Sequence, residues 1–123
     1  MKNTNSLEGA KIAYAALEDK LAIDIRVLDI SKISTLSDYF VIASGSNSNH
    51  LKAMADEVDE KLYKAGFTLK HTEGLQSYNR SWILMDFGDI VVHLFNKEDR
   101  DFYSLERIWG DARELTTEEL TAK

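Results

Sequence analysis

Apolar residues recur at steps of three and four near the start of the chain: Leu7, Ala10, Tyr14, Leu17 and Leu21. A 3.6-residue period gathers such positions into one stripe, so the spacing predicts an amphipathic helix over residues 5–20. Asn5 or Ser6 is placed to cap it, and Gly9 within it costs about 1 kcal/mol of helix propensity against alanine. The pattern then changes period. Ile23, Ile25 and Val27 alternate with Asp24 and Arg26, the signature of a half-buried strand over residues 23–28. A Ser- and Thr-rich stretch, 31–37, reads as a loop. Residues 39–43 (Tyr-Phe-Val-Ile-Ala) are continuously apolar, as in a strand covered on both faces and so central in its sheet.

The Ser- and Asn-rich residues 44–49 break that strand and supply helix caps. A second helix follows, with Leu51, Met54, Ala55, Val58 and Leu62 on its apolar face and Gly66 placed to end it. A short strand is expected at 67–71 and a loop at 72–80. Residues 81–86 and 90–95 are two apolar strands, and Phe87-Gly88 between Asp86 and Asp89 predicts a tight hairpin turn. Asn96 is placed to cap a last helix with Phe102, Leu105 and Trp109 as apolar positions and Gly110 as its stop. The expected order is α-β-β-α-β-β-β-α: a single α/β domain, with a mixed sheet of roughly five strands and helices packed on it. The domain is expected over residues 1–112, with 113–123 a polar tail that frays.

Composition narrows the function classes. The chain has 123 residues, 44% of them hydrophobic, enough for one core. It has no cysteine, which excludes disulfides, thiolate metal sites and a cysteine nucleophile. No apolar run is long enough to cross a membrane, and residues 1–6 lack the apolar segment of a signal peptide, so a cytoplasmic location is expected. The net charge of −6 disfavours a nucleic-acid groove, because phosphate binding rests on Lys and Arg. A basic protein is the better-matched partner.

Three groups are candidates for chemistry or binding. Gly45-Ser46, between a buried strand and a helix, resembles a phosphate-binding turn. A nucleotidyltransferase would add a pair of metal-holding carboxylates, but Asp86 follows Leu84 and Met85 and has no acidic mate. A strand-to-helix turn with capping serines is the preferred reading. His71, Glu73, Asp89 and His93 would hold a metal only if they converged, and their spacing matches no known motif. Neither a metal nor a cofactor is therefore expected, nor a catalytic group. The third group comes from strand parity. Trp82, Leu84 and Asp86 share one face; Val91, His93 and Phe95 share another. If these are one face, Trp82, Leu84, His93 and Phe95 form a mixed aromatic and polar set. Such a set suits a protein interface. It equally suits a second face buried under helices.

Four stretches together carry a family resemblance: Ser37-Asp38-Tyr39-Phe40-Val41-Ile42-Ala43-Ser44-Gly45, Glu73-Gly74, the segment from Trp82-Ile83-Leu84-Met85-Asp86-Phe87-Gly88-Asp89 to His93, and residues 102–112. At these separations they resemble the Iojap, or ribosomal silencing factor, family, over residues 7–112. The resemblance implies a scaffold related to nucleotidyltransferases without their acidic pair, and no enzymatic activity. It implies docking on the large ribosomal subunit, through its protein numbered fourteen at the intersubunit face, which blocks joining of the small subunit and represses translation. It also implies a homodimer off the ribosome. The family's ribosome-facing tryptophan matches Trp82, with Leu84, His93 and Phe95 beside it. The alternative is a degenerate nucleotidyltransferase using Gly45, Ser46 and Asp86.

Overall fold

The apolar run that begins at Tyr39 becomes an inner strand of a six-stranded mixed sheet. The computed structural model describes residues 6–32, 37–74, 82–97 and 112–121. Within them lie helix α1 (Ser6–Asp19), strands β1 (Ile23–Asp29) and β2 (Tyr39–Gly45), helix α2 (Ser48–Lys64), strands β3 (His71–Glu73), β4 (Trp82–Asp86), β5 (Ile90–Asn96) and β6 (Arg113–Glu114), and a short helix α3 (Thr117–Thr121). The strand order is β3-β4-β5-β2-β1-β6. The two central strands β2 and β5 run parallel, the chain between them passing through α2, β3 and β4, and every other neighbour pair is antiparallel.

Helices α1 and α2 pack on one face of the sheet. The α2 stripe behaves as its spacing predicts, with Leu51, Met54, Ala55, Val58 and Leu62 all buried. Asn47 caps it, its side chain accepting from the His50 N–H at 2.8 Å, and Gly66 follows it at φ +97°, a conformation natural to glycine. His50 also ties the helices together: its Nδ1 accepts from the Ser46 N–H at 2.9 Å, so its Nε2 donates to the Lys20 carbonyl at 2.7 Å. The opposing apolar face is built by Val27, Val41, Ala43, Ile83, Met85, Ile90, Val92 and Leu94. Phe87 and Ile90 close the hairpin around Gly88 and Asp89, with Gly88 at φ +92°.

Three expectations are corrected. The α1 stripe loses its ends: Leu7 and Leu21 are exposed, and small residues Gly9, Ala10, Ala13 and Ala16 join Tyr14 and Leu17 inside. Gly9 is there because the helix lies tight on the sheet. A Cβ at that position would stand 2.3 Å from Ile90 Cδ1 and 2.8 Å from Phe67 Cζ. The strand expected at 67–71 lies instead at His71–Glu73, because Phe67 leaves the sheet path to pack into the core beside Gly9. The residues expected to fray from Arg113 onward are ordered through Thr121. Arg113–Glu114 pairs with Leu28 and Asp29 as β6, Leu115 and Leu120 enter the core, and Arg113 bonds Glu119 at 2.9 Å. The domain therefore extends past residue 112. The helix expected from Asn96 with Phe102, Leu105 and Trp109 lies outside the described residues, as does most of the loop expected at 72–80.

Candidate functional site

Strand register settles which side chains share the face turned away from α1 and α2. Trp82 pairs with Phe95, Leu84 with His93 and Asp86 with Val91, and β2 adds Phe40, Ile42 and Ser44 opposite Val91, His93 and Phe95. All four residues expected from parity, Trp82, Leu84, His93 and Phe95, are therefore side by side. Around them the face holds a second apolar cluster, Leu28, Ile30, Ile42 and Phe95, with Phe40, Trp82 and Ala112 packed against it. Parity in the 39–45 run was the signal that would have added Phe40 and Ile42 in advance.

The four residues differ in depth. His93 is only 4% exposed and Phe95 1%, while Trp82 and Leu84 are half-buried and reach solvent. The indole is held by its neighbours. It stacks on Phe95 with ring centres 5.6 Å apart and an interplanar angle of 20°. Its Nε1–H donates to His93 Nδ1 at 3.3 Å, and the two rings are 5.9 Å apart. Phe40 meets the other side of the imidazole edge-on at 4.6 Å. Because Nδ1 accepts, the imidazole proton sits on Nε2, which is buried and has no hydrogen-bond partner among the described residues. Burial in this apolar setting pushes the His93 pKa down from 6.5 to about 4, so the ring is neutral at physiological pH. The result is an aromatic stack whose tryptophan remains partly open to solvent. Polar and charged groups stand at its margins, including His71 in contact with Glu73 at 2.7 Å and Arg26 near Glu114 at 3.6 Å.

The other candidate groups are dispersed. Gly45 pairs with Asn96, whereas Asp86 pairs with Val91, five residues back along β5. That separation is roughly 16 Å along the strand, too far for one phosphate site. The Ser46 N–H is already bonded to His50, and Asp86 Oδ1 accepts from the Gly88 N–H at 2.8 Å. His71 and Glu73 bond each other on an exposed strand while His93 lies in the aromatic stack. Among the described residues no group of three or more His, Asp or Glu converges for a metal, and no helix is long and apolar enough to cross a membrane.

Comparison with known proteins completes the description. A family model described as ribosomal silencing factor during starvation matches residues 3–123. The ribosomal silencing factor of Bacillus subtilis is 43% identical over 102 residues, covering 83% of this chain and 85% of that protein. A mouse protein named mitochondrial assembly of ribosomal large subunit protein 1 is 35% identical over 97 residues, which are 76% of this chain and 41% of that longer one. A crystal structure of a Chromobacterium violaceum protein matches with a TM-score of 0.79 at 40% identity, covering 84% of each chain.

Proposed function

The chain belongs to the ribosomal silencing factor family, whose members are ribosome-associated repressors of translation, and on that premise we propose that it works by docking alone. It binds the large subunit through the face that carries Trp82, Leu84, His93 and Phe95, on the subunit's protein numbered fourteen, and its bulk keeps the small subunit from joining. The observation that carries this reading is the state of Trp82: half-buried, and fixed by a stack on Phe95 and a bond to His93. A large aromatic side chain fixed in this way loses little freedom on binding, which is what makes tryptophan an effective interface anchor. The net charge of −6 favours a basic ribosomal protein over bare RNA. The mouse relative's name also refers to the large subunit. Steric exclusion asks for affinity and no chemistry: a nanomolar Kd, about −12 kcal/mol, is sufficient. Off the ribosome the chain forms a homodimer, which sedimentation equilibrium checks; a monomer at all concentrations removes that part.

The docking site is tested by placing a photocrosslinking amino acid at position 84, two residues from Trp82 on the same face. Irradiated with purified large subunits, it is expected to join the chain to the protein numbered fourteen. Crosslinks to ribosomal RNA or to a distant ribosomal protein would move the docking site elsewhere.

A further inference from the structure

Gly74 is a residue to which the docking face as described gives no role. Gly74 follows β3 and takes φ +80°, in the left-handed region that L side chains rarely adopt. It also lies against the first residue of β4. A Cβ built at Gly74 would stand 2.1 Å from the Trp82 carbonyl oxygen, 3.2 Å from its carbonyl carbon and 3.6 Å from Ile83 Cα. All three are backbone atoms, so no side-chain rotation relieves the contact. Only a hydrogen fits there, and the strand has to move to admit anything larger. The residue that would move is Trp82, whose indole is aligned with Phe95 and His93 by strand register.

We infer that Gly74 is a positioning residue for the docking face: the lack of a side chain at 74 lets β3 close on the Trp82 backbone and sets the direction of the indole. The inference rests on the docking reading but makes a claim that does not need the ribosome. Gly74 touches no partner. It acts through Trp82, so its effect on docking depends on the indole being present. The strain of a positive φ and the clash of a Cβ are separable, because asparagine tolerates the left-handed region and still carries a Cβ.

Gly74→Ala and Gly74→Asn are made in the full chain, each also combined with Trp82→Ala. Two quantities are read: affinity for purified large subunits, and the indole N–H signal of Trp82 in a nitrogen-15 spectrum, assigned by its loss in Trp82→Ala. In variants with native circular dichroism, affinity is expected to fall about tenfold or more. The Trp82 indole signal shifts and loses protection from exchange, and neither substitution weakens docking further once Trp82 is alanine. An unshifted indole signal with unchanged affinity overturns the inference. So does a loss of affinity that is equally large without the indole. If both variants fail to fold, glycine at 74 serves the fold alone and the inference is overturned as well. If the wild type does not bind large subunits at all, the docking reading fails, while the indole signal still decides whether Gly74 positions Trp82.

Discussion

Trp82→Ala is expected to weaken binding to the large subunit by about 2–4 kcal/mol, roughly 30- to 1000-fold in Kd, the range of an interface hot spot. The loss has two sources. The variant gives up the apolar area that the solvent-accessible part of the indole offers a partner. It also dismantles the platform, since His93 Nδ1 loses its donor and Phe95 loses its stacking partner. Trp82→Phe separates these contributions. It keeps a ring on Phe95 but has no N–H for His93, so its affinity is expected to lie between the wild type and alanine. Titration of purified large subunits measures the affinities, and urea midpoints show how much stability each variant has lost. A Trp82→Ala chain that is folded and binds like the wild type would remove Trp82 from the docking site.

Acid is expected to expose the second large effect, through His93. Its folded pKa is about 4, held down by burial, against 6.5 for the free side chain. Between these values the unfolded chain binds a proton that the folded chain does not, so stability rises with pH across that window. The contribution is fully present above pH 6.5 and is lost as pH falls from 6.5 through about 4. The difference corresponds to about 3 kcal/mol. Carboxylates titrate in the same range, so the measurement is the stability difference between wild type and His93→Asn, by urea denaturation from pH 7 to pH 4. Asparagine is chosen because its side-chain oxygen can stand where Nδ1 accepts from Trp82. The wild-type advantage is expected to shrink by about 3 kcal/mol on acidification. A difference that stays level would mean that the imidazole is not held neutral by burial.

The legible parts of this fold were those in which one residue's neighbours decide its fate. The continuous apolar run at 39–43 reads as an inner strand, and it lies between β5 and β1. The α2 stripe was wide and flanked by charge, so every expected position is buried. Parity on β4 and β5 grouped Trp82, Leu84, His93 and Phe95 because a strand alternates its side chains and the short hairpin turn fixed the register. What failed was non-local. The spacing of Leu7 and Leu21 fits a helix stripe, but which arc of α1 turns inward depends on how closely it approaches Ile90 and Phe67, and that favoured Gly9 and the alanines. The β6 and α3 segment has only Leu115 and Leu120 buried among polar residues, too sparse for a periodic signal. Its order comes from pairing with β1 and from Arg113 with Glu119. Parity also gave no depth: Trp82 reaches solvent while His93 does not, because His93 has Ile42 and Leu84 on either side, whereas Trp82 begins β4 beyond the last residue that β3 pairs, Leu84.

The most direct measurement of the central claim is subunit joining followed by light scattering. Large subunits are incubated with the wild-type chain or with Trp82→Ala, and small subunits are then added. The account predicts that the wild type suppresses the rise in scattering in proportion to large-subunit occupancy, while Trp82→Ala lets joining proceed at the concentration that blocks it for the wild type. Normal joining on large subunits saturated with the wild-type chain would contradict it.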